Sequence, residues 1–252
     1  MKKPFAPNFG KFAPVQIEIW PHLAPIARHG FVLYGGMGLS ARLGHRGSLD
    51  FDFFASRPID RVGLAEDLPF LANATTLQNE RDTYTISIPV SGDEVKISFF
   101  GPLNIKRIAE PDVTEDGVCQ VASLDDLAAT KLSVVLARIQ ASDYRDVLAI
   151  VRAGLPLEDA IADASAIYGT RFQPSDILKA LTYFEGGDLD ELTSDERAEL
   201  RATVAGVRTI PHRTATFCDL SANARSPSKR TAEGEIARSD NAKIRQADER
   251  ER

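Results

Sequence analysis

Asp50 and Asp52 lie in the run LDFDFF, separated by one phenylalanine. Side chains alternate along a strand, so Ser48, Asp50 and Asp52 share one face while Leu49, Phe51 and Phe53 share the other. Burying a carboxylate without a partner costs several kcal/mol, so this pair calls for a cation, a donor or water nearby. Backbone positions two residues apart in a strand are separated by roughly 6 to 7 Å. Side chains that lean together from there can hold one or two divalent ions, because paired catalytic metals stand about 3.5 to 4 Å apart. Hard oxygen ligands favour Mg2+ or Mn2+. The plainer alternative is two exposed acids on the polar face of a half-buried strand.

A second feature lies upstream. The strand FVLY at 31–34 runs into Gly35 and Gly36, and MGLSARL then has the length of a short helix. A glycine pair between strand and helix lets backbone N–H groups approach a phosphate closely, and a helix start favours negative charge. Thirteen residues separate Gly36 from Asp50. One site can then hold a metal and a triphosphate together, with His45, Arg46 and Ser48 in the connecting loop as phosphate contacts or supports of the strand. His22, His29 and His212 lack ligand-like spacing and read as structural or solvated.

Two further groups of charges sit on apolar helix faces. Leu127, Lys131, Val134, Val135 and Arg138 project within about 100° of one another. Lys131 either snorkels, with its stem on the core and its head in water, or faces the triphosphate. Asp143 and Asp146 share an arc with Val147 and Ile150. Asp143 also suits the first turn of its helix, where acids favour the dipole. For Asp146 an ion pair with Lys131 or Arg138 and activation of an acceptor hydroxyl are both open.

The segment LYGGMGLSARLGHRGSLDFDFF resembles the hallmark of the DNA polymerase β-like nucleotidyltransferase superfamily, an hG[GS] turn followed after a short spacer by Dh[DE]h. More narrowly it is similar to the AbiEii/AbiGii toxin family, whose GG turn is followed by GHRxSxDxDF. The matching positions are Gly44, His45, Arg46, Ser48, Asp50, Asp52 and Phe53. The helical segment DLAATKLSVVLARIQASDYRDV extends the likeness, which covers roughly residues 15 to 210. The resemblance implies transfer of a nucleoside monophosphate from an NTP to an acceptor hydroxyl, with RNA or tRNA as acceptor and a cognate antitoxin as partner. It also implies functional roles for Lys131 and for Asp146 or Asp143. On this reading Asp50 and Asp52 bind Mg2+ (or Mn2+), and Gly35, Gly36 and Ser48 hold the triphosphate. One departure stands out. Many superfamily members supply a third carboxylate from a later strand, which here is EVKISFF, and Ser98 occupies the expected place. Asp146 is the candidate replacement. Two alternatives follow, a small-molecule nucleotidyltransferase of the antibiotic-modifying type and a catalytically silent nucleotide-binding protein.

The elements that must position these residues fit an α/β (α+β) chain. The 252 residues carry 43% hydrophobic content and a net charge of −6, so any contact with nucleic acid must be local. Cys119 and Cys218 show no CxxC spacing, which indicates neither a disulfide framework nor a zinc site and fits a reducing cytoplasm. No signal peptide or membrane span is expected. The prolines break a helix at 14–28, a looser helical stretch covers 60–73, and TYTISIPV and EVKISFF form a hairpin around SGD. From Ser123, a helix cap with Asp126 three residues on, the pattern turns helical, with segments opening at Ser142 and at 157–167, 174–183 and 193–207. The expected organisation is a nucleotidyltransferase core at 1–115, with a small mixed sheet and flanking helices of the polymerase β-like type. A helical half at 116–217 follows, then a disordered tail at 218–252.

Overall fold

The computed structural model describes residues 4–216 and 219–221. The broken helix near the start divides at its prolines into α1 (Pro14–Ile19) and a 3-10 segment, Trp20–His29, that buries Trp20, Leu23 and Ile26. Pro21 and Pro25 lack the N–H that a continuing α-helix requires. Strand β1 (Val32–Tyr34) leads directly into α2 (Gly35–Leu43), so the helix begins at the first glycine and not at Met37. Next come β2 (Asp50–Phe54) and α3 (Arg61–Asp67), the latter capped by Asp60, whose carboxylate accepts the Gly63 N–H at 3.0 Å. A 3-10 turn at Pro69–Asn73 completes the looser helical stretch.

Strand β3 (Thr75–Asn79) is an addition to the expected elements. All five of its residues are exposed, so no apolar alternation marks it in the sequence. The hairpin of β4 (Thr83–Val90) and β5 (Asp93–Phe100) forms as expected, with Ser91 and Gly92 both at positive φ. Two left-handed residues are what a tight two-residue connection between twisted strands requires. Short strands β6 (Asp112–Val113) and β7 (Gln120–Val121) then join the same sheet, across the expected boundary at 115.

Strand order among the described residues is β3-β4-β5-β2-β1-β7-β6. β2 runs parallel to β5 and β1 parallel to β7, and the other pairs are antiparallel. The alternation of β2 separates two faces. Phe51 and Phe53 turn into the core, where Phe53 stacks on Phe99 at 5.8 Å and Phe51 meets Phe12 and Trp20. Asp50 and Asp52 turn to the other face, beside Lys96 and Ser98 of β5.

The helical half comprises α4 (Leu124–Ala137), α5 (Ala141–Arg152), α6 (Leu157–Tyr168), α7 (Pro174–Ala180) and α8 (Ser194–Gly206). Ser123 caps α4, its Oγ accepting the Asp126 N–H at 3.1 Å. α5 opens at Ala141, not at Ser142, because the Asp188 carboxylate takes the Ala141 N–H at 2.6 Å. Of the expected tail, residues 219–221 are described and pack on the core. Asp219 pairs with Arg57 at 2.7 Å, Leu220 is buried, and Ser221 donates to Gln120. Residues 222–252 lie outside the described residues. Among the described residues no helix is long and apolar enough to cross a membrane.

Candidate active site

Gly35 adopts φ +65°, and a Cβ built on it would fall 2.5 Å from Asp52 Oδ2. Only glycine tolerates both the conformation and the contact. The antiparallel pairing of Tyr34 with Asp52 brings them together, placing the Asp52 carboxylate against the first turn of α2. Gly36 is equally constrained. A Cβ there would lie 2.6 Å from Ser48 Oγ and 3.2 Å from Arg46 Nη2. The connecting loop is tied down from both sides, by Ser40 Oγ donating to the Arg46 carbonyl at 2.8 Å and by Gln16 Nε2 donating to the Ser48 carbonyl at 2.7 Å. Gly35, Gly36, Ser48, Arg46 and Asp52 therefore form one cradle at the N-terminus of a nine-residue helix, the geometry that receives phosphate.

Burial and the neighbouring Asp50 charge push the Asp52 carboxyl up to about 6, with Lys96, Lys131 and Arg138 acting in the opposite sense. An added cation relieves that repulsion. Two carboxylates on one strand face, one of them against a cradle that a Cβ would fill, form a donor set that fits a hard divalent ion. The third-acid position is neutral. Ser98 pairs with Asp52 in the register of β2 and β5, is buried, and lies 3.3 Å from Thr85 Oγ1. Among the described residues, no group of three or more His, Cys, Asp or Glu side chains is placed to hold a metal.

Behind the cradle lies a buried charge network. Asp146 and Asp143 on α5 are both inaccessible to solvent. Arg46 meets Asp146 in bidentate fashion, Nε to Oδ1 and Nη2 to Oδ2, each at 2.6 Å. His45 Nε2 stands 2.7 Å from the same Oδ1, and Lys131 Nζ 2.8 Å from Oδ2. Lys131 also reaches Asp143 Oδ1 at 2.8 Å, and Arg138 Nε reaches Asp143 Oδ2 at 2.8 Å. Burial alone raises the pKa of both acids. The donors from His45 and Arg46 and the Lys131 charge reverse this for Asp146 and hold it well below the usual carboxylate range. Arg138 and Lys131 likewise lower the pKa of Asp143.

A family model described as "Nucleotidyl transferase AbiEii toxin, Type IV TA system" matches residues 23–217, a span that takes in the cradle, both strand aspartates and the whole charge network. The chain belongs to the AbiEii family. An uncharacterized protein of Aquifex aeolicus (strain VF5) is 29% identical over 158 residues, 62% of this chain and 74% of that one. Among solved structures the chain is similar to MenT4, a nucleotidyltransferase toxin from Mycobacterium tuberculosis H37Rv. That match has 14% identity and a TM-score of 0.44, covering 77% of this chain and 92% of that one. The family places the chain among nucleotidyltransferase toxins of the type IV toxin–antitoxin class, which implies an NTP substrate and a cognate antitoxin.

Within this AbiEii chain, Gly35, Gly36, Ser48, Arg46, Asp50 and Asp52 converge on the cradle, while His45, Lys131, Asp143 and Asp146 converge behind it. Arg46 belongs to both groups, so its guanidinium bridges the glycine turn to α5. Lys131 does not snorkel, because its ammonium is buried between two carboxylates. Two cations of the neighbourhood are absent from the expected site residues. Arg138 is half exposed while holding Asp143, and Lys96 donates to Asp50 Oδ2 at 3.1 Å. Position 96 becomes significant only through the β2–β5 register, which sets it opposite Asp50.

Proposed function

We propose that the protein is a metal-dependent nucleotidyltransferase that moves a nucleoside monophosphate from an NTP to a hydroxyl of RNA, tRNA in particular, in the cytoplasm. The observation that supports this reading is the close approach of the Asp52 carboxylate to Gly35 at the start of α2, an arrangement suited to a carboxylate that shares a metal with phosphate. In the reaction the acceptor oxygen forms a bond to the α-phosphorus, the bond from that phosphorus to the bridging oxygen breaks, and pyrophosphate departs. The acceptor loses its hydroxyl proton.

Asp50 and Asp52 would hold Mg2+ or Mn2+. When bound, the ion neutralises phosphate charge as it builds in the transition state. The N–H groups at Gly35 and Gly36 and the Ser48 hydroxyl orient the triphosphate. Lys131 adds positive potential from behind the cradle, as its effect on Asp52 indicates. Asp146 and Asp143 serve as positioning residues. With both oxygens of Asp146 taken up by Arg46, Lys131 and the His45 ring, it fixes these three side chains and is poorly suited to accept a proton from the acceptor. Lys96 and Arg138, both half exposed, supply the local positive charge that an acidic protein needs to meet an RNA backbone.

Incubation with each α-labelled NTP, Mg2+ and total cellular RNA tests the reading. The expected result is a labelled RNA band of tRNA size that vanishes with EDTA and with Asp52→Asn. Label appearing only on a small molecule would show the antibiotic-modifying type of acceptor, and binding of NTP without pyrophosphate release would show a silent protein.

A further inference from the structure

The parallel register of β2 and β5 sets Lys96 beside Asp50 just as it sets Ser98 beside Asp52. Lys96 Nζ donates to Asp50 Oδ2 at 3.1 Å, and its charge also reaches Asp52. The next strand, β4, adds only neutral groups to this face, Thr85 opposite Ser98 and Ser87 opposite Lys96. Glu94, two residues before Lys96, has its carboxylate engaged by the Ser87 hydroxyl at 2.7 Å. Strand β5 thus brings a cation and a hydroxyl to the face where a further acid would be needed to hold a second metal.

We infer that this active site takes one divalent cation rather than two, and that the Lys96 ammonium supplies the second positive charge at the Asp50 end. The inference rests on the nucleotidyltransferase reading above. Charge makes the case. Two carboxylates and one ammonium leave a single net negative charge on the protein side of the site, half of what the two aspartates alone would offer to metal ions. A second divalent ion would have to share Asp50 with a cation already hydrogen-bonded to it, with no added acid to offset the repulsion. Lys96 differs from a metal in being covalently tethered, so its charge is present before nucleotide arrives and does not depend on cation concentration. Its place on the strand, in register with Asp50, keeps it on the face that carries both aspartates.

The test counts bound metal. Mn2+ is titrated into the full chain with a non-hydrolysable NTP analogue and followed by electron paramagnetic resonance. The wild-type protein is expected to bind one tight Mn2+ per chain. Lys96→Gln is expected to bind it roughly tenfold more tightly, the effect of removing a cation within hydrogen-bond distance of a ligand. The same variant is expected to transfer more slowly, while Lys96→Arg retains wild-type metal affinity and most of the rate. Two tight Mn2+ ions per wild-type chain would overturn the inference and leave the nucleotidyltransferase reading standing. Absence of any nucleotide-linked Mn2+ would overturn that reading itself. An unchanged Mn2+ affinity in Lys96→Gln would reduce the Lys96–Asp50 pair to an ordinary surface contact and overturn the role given to Lys96.

Discussion

Lys131 Nζ stands 2.8 Å from Asp143 Oδ1 and 2.8 Å from Asp146 Oδ2, so one buried ammonium joins two buried carboxylates one turn apart on α5. The pair is tied outward as well, Asp146 to His45 and Arg46 of the cradle loop and Asp143 to Arg138 at the end of α4. The helical half and the loop after α2 therefore form a single electrostatic unit. Lys131→Met keeps the stem volume but leaves two buried charges incompletely paired, and breaking such a pair typically costs about 3 to 5 kcal/mol. The expected result is a fall in urea stability toward the lower end of that range, because Arg46, His45 and Arg138 remain. Transfer rate should fall by about 10² or more through the lost positive potential. Unchanged stability would mean that the ammonium contributes nothing to holding α5.

The contact of Gly35 with Asp52 gives a second prediction. Gly35→Ala introduces a Cβ where 2.5 Å separates it from Asp52 Oδ2, at a φ of +65°. The left-handed conformation alone costs a non-glycine residue about 1 to 2 kcal/mol. Asp52 must also move off the helix terminus, so transfer should drop by about 10² while the protein stays folded in circular dichroism. Normal turnover in this variant would show that the close approach of Asp52 to Gly35 is not needed for transfer.

These two contacts mark how far the sequence could be read. The alternation in DFDFF, the glycine pair and the spacing between them are local signals, and strand register turns them into a site directly. The charge network is long-range, since His45 and Arg46 meet Asp146 about a hundred positions later. Helical projection shows that Lys131, Asp143 and Asp146 face inward, but periodicity carries no information on which cation meets which acid. That choice depends on how α4 and α5 pack. β3 escaped for another physical reason, because a fully exposed edge strand has no buried face to leave a pattern. Lys96 is legible only once the β2–β5 register is known, because a lysine on the polar face of a strand otherwise reads as an ordinary solvated residue.

The C-terminal residues 219–221 make a third prediction. Leu220 is 1% exposed and its N–H donates to Ser56 Oγ at 3.1 Å, while Asp219 pairs with Arg57. Full burial of a leucine side chain is worth about 1.5 to 3 kcal/mol. A chain ending at Ser221 should melt as the full-length protein does, since the remaining residues are too poor in apolar side chains to bury much surface. A chain ending at Thr216 should be less stable by about 2 kcal/mol. Equal melting of the two truncations would show that the Leu220 contact adds nothing.

The last prediction concerns Asp163 on α6, which lies outside the charge network and is fully buried. Neither of its carboxylate oxygens has a hydrogen-bond partner, and Arg213 Nε approaches only to 3.6 Å while the same guanidinium bonds Asp159 at 3.1 Å. Burial pushes the Asp163 carboxyl up to about 6 from 3.8; Arg213 opposes the rise, and Asp125, Asp159 and Asp126 add to it. A folded pKa above the unfolded one means that the native state binds the extra proton between these two values. The contribution of Asp163 to stability is therefore fully present below pH 3.8 and is lost as pH rises through about 6. Asp163→Asn removes the charge and keeps the shape, so it should raise the urea midpoint at pH 8 and change it little at pH 4. Denaturation curves of both proteins at the two pH values check the sign. A variant destabilised at pH 8 would mean that the Arg213 pairing outweighs the cost of burial and that the carboxylate helps to hold the C-terminal segment on α6.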